Sequence, residues 1–188
     1  MNSTFANDYL IKAAYAYLGR YASSKNNLKR VLERKLKRIC QKKEIDPQDY
    51  LHLVDQVAIQ CEQHGLLDDL VYTQSKIRVG LARGKSQRAI KSSLLQKGVE
   101  PTILQKGFDT SQYDELKAAN YYAKRRGFGN WREGGDSNKV EKQLQAMVRA
   151  GFPYKISQLI LKAPKAVLEQ LYHNEIDPES FIHEAGYS

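Results

Sequence analysis

An all-α chain of tandem three-helix modules is the fold this sequence predicts. Three observations lead there. Apolar residues recur at helical spacing nearly everywhere, and no sustained two-residue alternation marks a strand. Pro47 and Pro178 each follow an aspartate, while Pro101 and Pro164 each precede an apolar-periodic stretch. Proline is welcome in a first helical turn, where its missing N–H had no partner anyway. Finally, a block of helix, glycine and proline returns along the chain, loosely but in the same order.

The first module, residues 8–64, carries its stripe on Leu28, Leu32, Leu36 and Ile39, after Ser24. Ile45-Asp46-Pro47 then opens a third helix bearing Leu51, Val54, Ala58 and Cys61, with Asp46 as its N-cap. The second module, 65–109, begins at "HGLLDD" (64–69) and runs through Leu70, Ile77 and Leu81. Its later part sets Ile90, Leu94, Gly98-Val99 and Pro101 in series. The third, 110–162, repeats that series as Val140, Leu144 and Gly151-Phe152-Pro153, with an insertion, "REGGDSN", after Trp131. Each module reads as a long helix, a basic second helix and a shorter third helix opened by proline. Residues 163–188 form an acidic helical tail with Asp177 as an N-cap, and a solvated tail is its default reading.

Charge narrows the function. Lys and Arg number 30 against 21 Asp and Glu, a net +9, which favours an acidic partner: nucleic acid or an acidic protein surface. The stretch "KNNLKRVLERKLKRICQKK" (25–43) holds one acid, Glu33, and Arg30, Arg34 and Lys37 fall on the side opposite the leucines. So dense a stripe exceeds what solubility requires and points to a partner. In "NYYAKRRGFGNW" (120–131), aromatics interleave with Lys124, Arg125 and Arg126, a mixture suited to stacking on single-stranded bases. Tyr122, Phe128 and Trp131 equally suit the core of a small helical module, and that reading is favoured for at least half of them.

"GLARGKSQ" (80–87) nearly spells a phosphate-binding loop, yet Val79 stands where the first glycine belongs and no strand pattern precedes it. Gly84 instead reads as a residue ending one helix and Ser86 as the N-cap of the next. With Arg83, Lys85 and Arg88 around it, that joint still attracts a partner's phosphate or carboxylate. The Asp68-Asp69 pair reads as one cap and one first-turn acid, with Leu66 and Leu67 packing toward the core. His52, His64, His173 and His183 are scattered without ligand spacing, so neither metal nor cofactor is expected. Cys40 and Cys61 sit in apolar-periodic stretches and read as reduced core residues of a cytoplasmic protein, although a disulfide stays open. No apolar run has the length of a membrane span, and "MNSTFAN" carries no targeting pattern.

These residues resemble a known family. Gly65-Leu66-Leu67-Asp68-Asp69, then Arg83, Gly84, Ile90, Leu94, Lys97, Gly98 and Val99, are similar to the second-module motif of the RecX regulatory proteins. Leu18, Tyr21, Ser24 and Leu28 match the first module more loosely, and the likeness extends over roughly residues 13–162, by the repeat pattern. The resemblance implies tandem three-helix repeats in an elongated, curved array. It also implies a modulator without enzymatic activity, binding RecA-type recombinase filaments on single-stranded DNA. Such proteins lie in the filament groove and inhibit ATP hydrolysis, strand exchange and extension. Arg83, a position matched to the family motif, is an expected contact residue, and Arg30, Arg34, Lys37, Lys85 and Arg88 join it on charge and helical phase. A monomer touching DNA weakly or through the filament is expected. The competing reading is a DNA-binding transcription regulator of helix-turn-helix type.

Overall fold

The computed structural model describes residues 2–132 and 137–185; residues 133–136 of the insertion lie outside the described residues. Among these there are eleven α-helices, two short 3-10 helices and no strand. In chain order they are α1 (Ser3–Leu18), α2 (Lys25–Lys42), α3 (Leu51–Gln63), α4 (Asp69–Ala82), α5 (Gln87–Gln96), α6 (Pro101–Asp109), α7 (Glu115–Arg126), α8 (Ser137–Arg149), α9 (Tyr154–Lys162), α10 (Lys165–His173) and α11 (Pro178–Glu184). The 3-10 turns are Pro47–Tyr50 and Gly129–Trp131. The expected all-α fold is present.

Local chemistry sets the boundaries. The Asp46 carboxylate accepts from the Gln48 N–H at 2.9 Å, and Asp177 accepts from Glu179 and Ser180, both at 2.9 Å. Pro47 and Pro178 occupy the first positions after these caps. Pro47 opens a 3-10 turn ahead of α3, not α3 itself. Helices end in a common way. The N–H groups of Ile45, Leu66, Lys85, Val99, Phe128, Phe152 and Glu175 each reach back five residues to a helix carbonyl. The residue before each is left-handed: a glycine in five cases, Glu44 and Asn174 in the other two. This closure satisfies carbonyls the helix leaves open.

The chain divides into two compact units. One comprises Met1–Gln74 with Leu94–Asp109, the other Ser75–Ser93 with Thr110–Ser188. In the first, α1, α2 and α3 pack around Leu10, Leu28, Leu32, Leu36 and Val57, all essentially sealed from solvent. Each such leucine contributes roughly 1.5–3 kcal/mol of burial. Cys40 and Cys61 lie in this core as free thiols, and burial pushes both up. Leu67 joins it, but Leu66 stays 45% exposed, against the expectation that both pack inward.

In the second unit, α7 to α11 surround Leu116, Met147, Phe152, Ile160 and Leu168. The acidic tail corrects its default reading. Leu168, Leu171 and Phe181 have no exposed surface, and the Asn120 amide donates to the Leu168 carbonyl at 2.8 Å. Its acids lie on the outside, so composition alone made it look solvated. The segment Glu175-Ile176-Asp177-Pro178 also repeats Glu44-Ile45-Asp46-Pro47, with the same aspartate cap on the following helix.

Each unit contains one joint of the same design. In the first, the Ser24 hydroxyl caps α2 through the Asn27 N–H and donates to the carbonyl of Lys97, at the end of α5. In the second, Ser86 accepts from the Ala89 N–H at 3.2 Å and donates to the carbonyl of Ala150, at the end of α8, at 2.6 Å. A first-turn acid completes each joint. Asp69 of α4 accepts from the Lys25 N–H at 2.7 Å, and Glu115 of α7 from the Gln87 N–H at 3.0 Å. The positive start of one helix thus meets the negative end of another, with a carboxylate beside it.

Candidate partner-binding surfaces

On α2 the leucines at 28, 32 and 36 bury one face and turn Arg30, Arg34 and Lys37 outward. Their surroundings differ. Arg34 lines a shallow concavity with Val31, Lys35 and Arg38, without Lys37. The Arg30 guanidinium, also exposed, donates to the Gln96 carbonyl at 2.6 Å and so closes the end of α5. The nearby ion pairs are Lys25–Glu62 at 2.6 Å and Lys29–Asp55 at 2.7 Å, which use other cations.

In the second unit the stretch 80–87 is a helix joint. Gly84 stands at φ +59 with the α7 backbone against it; a Cβ there would lie 2.5 Å from the Tyr122 nitrogen. Space that a nucleotide phosphate would need is filled by protein. The Ser86 hydroxyl is fully engaged, and the Lys85 carbonyl accepts from the Tyr113 hydroxyl at 2.9 Å. The side chains of Arg83, Lys85 and Arg88 remain exposed around it.

Beside this joint lies a concavity of about 530 Å³ lined by Ala82, Arg83, Tyr121, Lys124, Arg125 and Tyr172. Arg125 donates to the Arg83 carbonyl at 2.7 Å, which ties the ends of α4 and α7 together. Lys124 is held over two rings, 3.2 Å from the Tyr172 centroid and 4.8 Å from that of Trp131. Such cation–π contacts fix an ammonium without neutralising it. Tyr121 meets Tyr172 edge to face at 5.3 Å.

Sequence reading divided the aromatics of 120–131 between core and surface, and the structure separates them. Tyr122 is buried, and Phe128 and Trp131 pack against the core, Trp131 donating to Asn120 at 2.9 Å. Tyr121 lines the concavity. Tyr172 was missed because α10 delivers it from far along the chain; an aromatic preceding His173 in an acidic tail gives no signal of its own. Among the described residues no cluster of His, Cys, Asp or Glu is gathered to hold a metal, and no helix is long and apolar enough to cross a membrane.

Two half-buried acids have shifted affinities for protons. Burial first of all raises Glu115, against the opposing bonds from Gln87 and Tyr113. Burial likewise raises Asp69, against the Lys25 N–H. Both belong to the joints. Tyr113, beside Glu115, is pushed far up by burial and by that carboxylate.

Helices joined repeatedly through buried serine caps, with cationic side chains on their outer faces, define an all-helical repeat protein. No protein-family model matches the chain. It is 32% identical over 162 residues to the regulatory protein RecX of Myxococcus xanthus (strain DK1622), covering 84% of this chain and 87% of that protein. Against the RecX regulatory protein of Yersinia enterocolitica (serotype O:8) it is 30% identical over 121 residues, 62% of this chain and 66% of that one. A crystal structure of regulatory protein RecX shares the fold, with a TM-score of 0.60 at 18% identity over 84% of this chain and 72% of that one. The chain belongs to the RecX family of regulatory proteins.

Proposed function

We propose that this protein is a negative regulator of a RecA-type recombinase. It binds the nucleoprotein filament along its groove and inhibits ATP hydrolysis, strand exchange and filament extension. The observation that carries this reading is the 32% identity, over 84% of the chain, to a regulatory protein RecX. The net charge of +9 supports it, since the filament carries DNA phosphates. Arg30, Arg34 and Lys37 in the first unit, and Arg83, Lys85 and Arg88 in the second, are the contact residues we assign. The protein acts as a cytoplasmic monomer, by occupancy and without catalysis of its own, meeting single-stranded DNA weakly or through the filament.

The test is an ATPase titration of the cognate recombinase on single-stranded DNA. The purified protein should lower the rate as its concentration rises, and the Arg83→Glu, Arg88→Glu variant should require more protein for the same effect. Undiminished ATPase and strand exchange with the protein in molar excess would contradict the reading.

A further inference from the structure

The concavity between α4, α7 and α10 in the second unit contains more than charge. Three cations, Arg83, Lys124 and Arg125, line it with no acid among the lining residues. The salt bridges Lys25–Glu62 and Lys29–Asp55 use none of them. Two are pre-positioned: Arg125 by its bond to the Arg83 carbonyl, Lys124 by the two rings beneath it. Positioned cations whose contacts are a carbonyl and two rings, with no carboxylate lining the concavity, keep their charge for an anion, and the cost of ordering them has been met in folding. The volume of about 530 Å³ falls within the roughly 300–1,000 Å³ range of ligand pockets.

We propose that this concavity takes one nucleotide of single-stranded DNA, its phosphate against Arg83 and Arg125 and its base against Tyr121. The tyrosines decide between classes of anion. A carboxylate-bearing peptide would need the cations alone, whereas an unpaired base adds a flat apolar face that an aromatic ring can cover. Lys124 already sits over the Tyr172 ring, so the stack falls to Tyr121, which Tyr172 steadies edge to face. A duplex keeps its bases stacked on one another and offers phosphates only, so the site selects single strands. Arg125 lies at the carboxyl end of α7 and Arg83 just beyond that of α4, so the guanidinium groups, and not the helix dipoles, hold the phosphate.

The site deepens the filament reading and rests on it for the choice of single-stranded DNA as the physiological phosphate source. Its test therefore begins with DNA alone. Fluorescence anisotropy would compare a labelled oligothymidylate with an abasic deoxyribose-phosphate strand of equal length. Three proteins enter: the wild type, Tyr121→Leu and Arg125→Gln, with thermal melts to show that each variant is folded. Tyr121→Leu should weaken oligothymidylate about five- to a hundredfold and leave the abasic strand unchanged. Arg125→Gln should weaken both, with a slope of log affinity on log salt smaller by about 0.7. The proposal is overturned if Tyr121→Leu leaves oligothymidylate affinity unaltered, or if the wild type fails to bind it at low salt. It is also overturned, in favour of an acidic peptide, if polyglutamate displaces the oligothymidylate as effectively at equal charge. Recombinase inhibition measured on the same proteins keeps the two readings apart. Inhibition without oligothymidylate affinity sinks the pocket alone, and affinity without inhibition sinks the filament reading alone.

Discussion

At Ser24 and at Ser86 the start of one helix meets the end of another, and the two meetings share a frame but not a finish. Both have the buried serine, the carbonyl it donates to, the first-turn acid and a left-handed glycine at close approach. They differ two residues into the capped helix. In the first joint Asn26 spends its amide on the Gly98 carbonyl at 2.7 Å, and Arg30 closes the Gln96 carbonyl. In the second, the Arg88 stem lies over Gly151 and its guanidinium stays exposed. The frame is what folding requires. The finish differs, and in the second joint Arg83, Lys85 and Arg88 are all exposed.

The glycines offer the strongest way to break this comparison. Gly98 has φ +75, and a Cβ there would meet the Asn26 Cβ at 2.5 Å; at Gly151 it would meet the Ser86 Oγ at 2.5 Å. Gly65 is also left-handed but has nothing within 4 Å. Gly98→Ala and Gly151→Ala should therefore cost about 2–4 kcal/mol in urea unfolding, from backbone strain plus overpacking. Gly65→Ala should cost only the strain, about 1–2 kcal/mol. Equal costs at all three positions would remove the close approach from the account.

Next in size are the serines. Ser86→Ala removes a cap and leaves the Ala150 carbonyl without its hydroxyl donor, so a loss of about 1–3 kcal/mol is expected, and Ser24→Ala should match it. A loss within about 0.5 kcal/mol at either, the range of an ordinary surface change, would show that the joint is not coupled through that hydroxyl.

The acids sharpen the comparison through pH. Burial raises Glu115 above its ordinary value of 4.5 and Asp69 above 3.8. The native state then binds protons more tightly than the unfolded chain, so each contribution to stability is complete below the ordinary value and is lost as pH rises through the raised one. Thermal melts of Glu115→Gln and Asp69→Asn against the wild type should show the variants gaining relative stability from about pH 4 to 7. A difference that stays flat, or moves the other way, would contradict the cause assigned to the shifts.

The smallest effect on stability belongs to the finish itself. Arg88→Ala should leave urea unfolding within about 0.5 kcal/mol, while Asn26→Ala should lose about 1 kcal/mol with its hydrogen bond. Inhibition of the recombinase should respond in the opposite order.

The local half of this design was legible in the sequence. Asp46-Pro47, Asp177-Pro178 and the Gly84–Ser86 joint announce their caps through residues within a few positions of each other, and the leucine stripe of α2 fixes which face is cationic. The distant half was not. Ser24 finds its acceptor 73 residues away and Ser86 finds its own 64 away. Asp69 looked like an acid serving its own helix, yet its carboxylate accepts from Lys25 of α2. Tyr172 and the buried face of α10 were hidden because the five exposed acids of the tail outweigh a leucine pair in composition. Long-range pairing leaves no periodic trace.

Binding of both units to one filament is decided by titrating recombinase ATPase with three proteins side by side. These are the wild type, Arg34→Glu with Lys37→Glu from the first unit, and Arg83→Glu with Arg88→Glu from the second. The wild type should inhibit, and each charge-reversed pair should show a higher half-inhibiting concentration. Wild-type protein that leaves the ATPase untouched in molar excess, or two variants that inhibit as well as the wild type, would contradict it.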